Sequence, residues 1–123
     1  MEYVKIAIQL TIALGIYNVW LLRFGKATNW RGGSANSMKE EFEVYGIPYW
    51  FMMVIGFLKV SLATVLVVGI WFPVVILPSA IGMALLMTGA LAMHFKVKDP
   101  LQKSLPAFTM FTLCLALVFV SIN

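Results

Sequence analysis

Residues 49–72 read YWFMMVIGFLKVSLATVLVVGIWF, an apolar run broken by a single charge, Lys59. The hydrocarbon core of a bilayer is roughly 30 Å thick, and a helix rising 1.5 Å per residue needs about 20 apolar residues to cross it. The run is long enough, and no second charge falls within it before Pro73 interrupts the chain. It therefore reads as a membrane-spanning helix with Lys59 near mid-depth.

Three further runs meet the same test: Val4–Leu22 with Lys5 at its edge, Val74–Phe95, and Leu105–Ile122. The fold class that follows is an all-α membrane protein, a four-transmembrane-helix bundle occupying 1–123 as one domain. The first run is not a cleaved signal peptide: Glu2 stands in the would-be basic region and no small-x-small site follows. Pro73 leaves only a tight connection between the second and third spans, which predicts an antiparallel hairpin. Asp99-Pro100 breaks the chain after the third span, and Ser104 with Pro106 suits the start of the fourth. Trp20, Tyr49, Trp50 and Trp71 fall near span ends, where amphipathic rings favour the headgroup layer.

Composition agrees. Apolar residues make up 62% of the chain and charged residues 11%, against roughly 25% charged in a soluble domain. The net charge of +4 does not signal nucleic-acid binding, because the cations flank apolar runs and form no patch on a polar domain. Arg23, Lys26, Arg31, Lys39, Lys96, Lys98 and Lys103 belong to the two longer connections and their helix ends, whereas the opposite side holds Lys5. The positive-inside rule then predicts that the 23–48 and 96–104 connections are cytoplasmic and both termini outside, in the cell (inner) membrane. A lone cysteine, Cys114, excludes thiol–disulfide chemistry within the chain and reads as a small packed hydrophobe. One histidine, His94, with no acid cluster in the sequence around it, argues against a metal or haem site. The methionines read as lipid-facing or gap-filling residues. No hydrolytic set or phosphate loop is present, so no catalytic residue is assigned and the chain is not read as an enzyme by itself.

The connection before residue 49 carries its own signals. Thr28–Asn36 is polar, contains Gly32-Gly33 and reads as a loop. Ser37-Met38-Lys39-Glu40 fits a capping box, Met38, Phe42 and Tyr45 recur at helical spacing, and Gly46 with Pro48 ends the segment. A short amphipathic interfacial helix is predicted, its apolar face toward lipid or toward the bundle.

Helices associate in lipid through small residues and packing. Candidate inward stripes are Thr11, Gly15 and Asn18 in the first span; Gly56, Lys59 and Ala63 in the second; Ala80, Ala84, Thr88 and Ala92 in the third; and Thr109, Thr112 and Ala116 in the fourth. A lysine at bilayer centre costs about 2.5–3.5 kcal/mol on insertion scales, so Lys59 is expected to face the interior. Snorkelling brings its ammonium to the depth of Asn18, Thr109 and Thr112, and Glu41 is the one acid placed to fold back to it. A purely structural lysine, packed in the bundle or snorkelling at its rim, remains the competing reading. His94 can meet a ligand's polar head, or can simply bond a headgroup or carbonyl at its helix end.

Taken together these residues resemble the DoxX-like family of small four-helix membrane proteins. The likeness rests on Phe24-Gly25-Lys26, on Phe42, Gly46 and Pro48, on Ile55-Gly56-Phe57-Leu58-Lys59-Val60, and on Gly89-Ala90 through His94 to Asp99-Pro100-Leu101. The last stretch, with Met38, Phe42 and Gly46, is similar to the branch containing the novel acetylcholine receptor chaperone. The family commonly has a Gly-x-x-Glu pattern where this chain has Gly56 and Lys59, so the charge is reversed here. The resemblance implies a fold more firmly than a function: the family is named after a subunit of an archaeal thiosulfate:quinone oxidoreductase, and other members associate with redox proteins or assist receptor assembly. Two functions are therefore expected. One is a non-catalytic accessory protein, an assembly factor or small subunit partnered by membrane lipids and other membrane chains or by copies of itself. The other is a quinone- or lipid-binding module serving a redox enzyme, with Lys59, His94 or Asn18 at the ligand head. No cofactor is required by the first. A transporter is the weakest reading, since Pro78 in the third span has no matching broken segment.

Overall fold

Apolar runs of this length have one stable solution in lipid, because every backbone N–H and C=O must be satisfied within the segment. The computed structural model describes residues 2–26 and 31–122; Thr28, Asn29 and Trp30 of the expected polar loop lie outside the described residues. Helix α1 spans Glu2–Tyr17 and continues as a π-helical turn over Asn18–Leu22. Helix α2 covers Met38–Tyr45, α3 Tyr49–Val68, α4 Ile76–Lys96 and α5 Leu101–Ile122. Four segments, Tyr3–Leu22, Tyr49–Val68, Pro73–Lys96 and Leu101–Ile122, are long and apolar enough to cross a membrane. The chain is an integral membrane protein.

The long helices form a ring in which α1 packs on α3, α3 on α4, α4 on α5, and α5 closes back on α1 along the loosest seam. Pro73 opens a single 3-10 turn, Pro73–Val75, so α3 and α4 form the tight hairpin expected. The end of the bundle with this connection is called here the turn end, and the opposite end, with the 23–48 and 97–100 connections, the loop end. At the turn end the interior is close-packed by Ile12, Ala13, Leu66, Ile76, Ala80 and Met83, each at most 2% exposed. Two polar side chains join them among the described residues: Gln9 of α1 is buried and donates from Nε2 to the Leu66 carbonyl at 2.8 Å, and Ser79 of α4 is buried and donates to Val75 O at 2.6 Å.

Several expectations need correction. Helix α5 starts at Leu101 rather than Leu105, because Pro100 is its entry: Lys103 N–H donates to Pro100 O at 3.0 Å. Ser104 therefore lies inside the helix, its hydroxyl donating to Leu101 O, and Pro106 sits in the second turn. Thr11, Thr88, Ala92, Thr109 and Thr112 face outward. Strict four-residue spacing advances about 400° per step, so such a stripe drifts about 40° each time on a helix of 3.6 residues per turn. The buried row of α4 corrects for this by mixing steps of three and four: Ile76, Ala80, Met83 and Met87. In α5 the inward face is Met110, Cys114 and Leu117. Among the aromatic end residues, Tyr49, Trp50 and Trp71 are exposed as a headgroup belt requires, but Trp20 is 7% exposed and belongs to the core.

Candidate functional site

At the loop end the four long helices part around a cavity of about 780 Å³, within the range of small-molecule sites. Its apolar wall includes Ile16, Ile55, Leu86, Met87, Ala90 and Met110, and its polar lining comprises Asn18, Arg23, Arg31, Glu41, Tyr45, Lys59, His94 and Lys103.

Helix α2 forms the lid of this space for local reasons. Ser37 caps it, its hydroxyl oxygen accepting from Glu40 N–H at 3.2 Å, as the capping box predicts. Gly46 ends it in the left-handed region, φ 78°, and Ile47 N–H donates to Phe42 O at 2.9 Å. Between those caps Met38, Phe42 and Tyr45 share one face and are buried against the bundle, which settles the two orientations left open for this helix. Phe42 meets the Trp20 ring edge-on at 5.8 Å.

Arg31 fixes this lid to α1. Its guanidinium is 4% exposed; Nε donates to Lys26 O at 2.8 Å, Nη2 to Arg23 O and Phe24 O, and Nη1 lies 3.5 Å from Glu41 Oε2. The planar fork thus supplies donors to a chain end whose carbonyls have no helical partner. Glu41 is saturated in turn: Oε2 accepts from Gly32 N–H at 3.2 Å and Oε1 from Tyr45 O–H at 3.2 Å. Burial, and then the adjacent Glu41 carboxylate, push the Tyr45 phenol far above its ordinary value, so it stays a donor. Glu41 does not fold back onto Lys59 as a paired acid; it shares the cavity lining with it while bonded elsewhere.

His94 is buried and its Nδ1 donates to Asp99 Oδ2 at 2.8 Å. The other carboxylate oxygen of Asp99 accepts from Gly33 N–H at 2.9 Å, and Lys103 Nζ donates to Gly33 O. Lys96 Nζ donates to Tyr45 O at 2.9 Å. These bonds tie the two connections together over the cavity. Within the chain the histidine's partner is therefore a carboxylate from the next loop.

Lys59 stands on the far wall. The residue is 8% exposed; among the described residues no hydrogen bond or ion pair reaches its ammonium, which keeps some surface at the cavity wall. Its neighbour is the Trp20 ring, whose centroid lies 5.6 Å from Nζ, a cation–π contact worth about 0.5–2 kcal/mol. Gly56 makes room for that ring: a Cβ there would lie 2.5 Å from Trp20 Cζ3. Trp20 also lines an outer apolar groove of about 410 Å³ with Leu21, Met53 and Phe57, so its ring separates that groove from the inner cavity. The π-helical turn that carries Asn18 and Trp20 closes with Arg23 N–H donating to Asn18 O at 2.9 Å, and such turns recur at functional sites.

A model of the DoxX-like family matches residues 16–119, which takes in every residue of this lining except Gly15. The chain belongs to that family. Comparison with curated proteins and with solved structures gave no match.

In this DoxX-like protein the structure brings Lys59, Asn18, Glu41 and His94 to one cavity and leaves Thr109 and Thr112 outside it, both exposed. Arg31, Tyr45 and Trp20 are lining residues that the sequence did not single out. Tyr45 had a signal, its place on the apolar face of α2. Arg31 had a weaker one, an arginine beside Gly32-Gly33, where the backbone can approach closely. Among the described residues no group of three His, Cys, Asp or Glu side chains could hold a metal ion.

Proposed function

We propose that this DoxX-like protein is a membrane module that binds one amphipathic small molecule, a quinone or a lipid, in the cavity at the loop end, and that it serves a larger redox or membrane complex. One observation carries the reading. Lys59 is buried at a cavity wall without a hydrogen-bond partner among the described residues. Its ammonium keeps some surface open to the cavity, and a ligand's polar head there would supply the partner that the described residues do not. His94 and Asn18 line the same cavity and support the reading as further polar groups for that head. The cations of the two connections, Arg23, Lys26, Lys96 and Lys98 among them, favour a cytoplasmic loop end in the cell (inner) membrane. The test is native mass spectrometry of protein released from its own membrane without delipidation. A quinone or lipid retained at one per chain is expected; a spectrum of bare protein under conditions that preserve other lipid complexes would sink the reading.

A non-catalytic accessory role is compatible with this and has its own support. Helix α5 has the smallest share of buried residues of the four spans, 11% of its most apolar stretch against 33% in the span ending at Lys96. Its outer face is where another membrane chain or a second copy would sit. Cross-linking from that face in native membranes should capture a defined protein partner; lipid alone at that face would argue against the role.

A further inference from the structure

Resting on the ligand-binding reading, we propose that the molecule taken by the cavity is an anionic amphiphile: an oxyanion head, carboxylate or phosphate, held at Lys59, with a hydrocarbon tail leaving between α1 and α5.

The charge of the lining decides the head. Four cations, Arg23, Arg31, Lys59 and Lys103, face one carboxylate, Glu41. Arg31 already satisfies Glu41, and Lys103 is committed to Gly33 O. Arg23, exposed at the mouth, uses only Nε, toward Asn18 Oδ1 at 3.2 Å among the described residues. Among the described residues Lys59 has the face of Trp20 and, without contact, the longer-range attraction of Glu41. The uncommitted charge is therefore all positive, one cation deep and one at the mouth. A neutral quinone carbonyl would accept a hydrogen bond from Lys59 yet leave its charge uncompensated in a low-dielectric site, whereas an oxyanion supplies both.

The shape of the lining decides the tail. The α1–α5 seam is the loosest in the ring; the tip of Met110 closes it by packing on Gly15, and toward the loop end the cavity follows it between Val19 on one side and Pro106 and Ala107 on the other. These side chains are apolar, and beyond them lies lipid. A single hydrocarbon chain leaving between Val19 and Pro106 would meet no charged side chain along that stretch.

Trp20 offers the readout, since a head docking on Lys59 must displace or share the ring's cation. The full-length protein in neutral detergent is titrated with oleate, oleyl phosphate, oleyl alcohol, decyl-ubiquinone and inorganic phosphate, following tryptophan emission with Trp20→Phe as the blank. Oleate and oleyl phosphate are expected to bind at least about tenfold more tightly than oleyl alcohol, and inorganic phosphate far more weakly than oleyl phosphate. In Lys59→Gln the preference for the charged heads should fall to near one while oleyl alcohol still binds. Equal affinity for oleate and oleyl alcohol in the unmodified protein, or a preference for decyl-ubiquinone over both anions, would overturn the proposal and leave the ligand-binding reading standing. Inorganic phosphate binding as well as oleyl phosphate would overturn the tail. No binding of any of the five would remove the ligand-binding reading itself. The comparison of heads needs no variant, so it decides even if Lys59→Gln fails to fold.

Discussion

The two ends of the bundle are held by different physics. At the turn end α1, α3 and α4 meet through small and aliphatic side chains, with a buried polar bond between helices from Gln9 to Leu66 O and a local one within α4 from Ser79 to Val75 O. At the loop end the helices diverge, and the space between them is roofed by α2 and by bonds that run between connections: Arg31 to Glu41, His94 to Asp99 to Gly33, and Lys96 to Tyr45 O. Packing needs no partner beyond shape, so the turn end is complete as it stands. Polar ties hold a cavity open where close packing would have filled it, and an incomplete lining is what a binding site requires.

The largest effect should come from breaking the roof at its centre. Glu41→Ala leaves Arg31 buried without its counter-charge and takes the acceptor from Gly32 N–H and Tyr45 O–H. A loss of about 3 kcal/mol in unfolding free energy is expected, the lower end for a broken buried pair. Hydrogen exchange should rise across 31–46 while α1 near Gln9 keeps its protection. Uniform loss of protection along the whole chain would show that the two ends do not differ in the way described. Next comes the seat of Trp20. Gly56→Ala places a Cβ 2.5 Å from a rigid ring, whereas Gly82→Ala, nearer the turn end, places one 3.2 Å from the flexible tip of Leu62. Overpacking of the first kind costs about 2 kcal/mol and the second should cost under about 1. Paired thermal-melt measurements in one detergent check the order, and a reversed order would break the assignment of Trp20 to the core.

How much of this could be read beforehand follows the same division. The four spans were legible because length and hydropathy alone decide them, and α2 was legible because Ser37, Glu40 and Gly46 carry local capping chemistry. The inward position of Gly56, Lys59 and Ala63 was also readable, from the cost of a lysine in lipid. Inward faces elsewhere were half right, since a stripe such as Ala80, Ala84, Thr88 and Ala92 drifts around the helix within three steps. Trp20 was misplaced because a ring at a span end suits either a headgroup or a core, and only the gap left by Gly56 on another helix chooses. Arg31 and the His94–Asp99 pair were out of reach for a related reason: their partners are set by how two connections fold over one another, which no local pattern encodes.

A smaller effect tests the ties between connections. His94→Phe keeps an aromatic edge near Tyr45, now 5.9 Å away, but removes the donor to Asp99. The expected cost is about 1.5 kcal/mol, the lower end for a hydrogen bond to a charged group, with faster exchange at Gly33 N–H, whose acceptor is the same carboxylate. Unchanged exchange at Gly33 would mean that Asp99 is held without the histidine.

The smallest effect belongs to the turn end, although it involves the most deeply buried polar side chain there. Gln9→Leu deletes the bond to Leu66 O, a carbonyl near the end of α3 beside Gly69. Side-chain bonds between helices in a membrane average about 0.6 kcal/mol, because the separated helices also find partners, and leucine recovers some of the loss by packing against Ile76 and Ile12. The change in melting temperature should therefore be slight, and binding of oleate should not alter, since Gln9 does not line the cavity. A large loss here would reverse the comparison: the turn end would then depend on a polar clasp, and close packing would be its consequence.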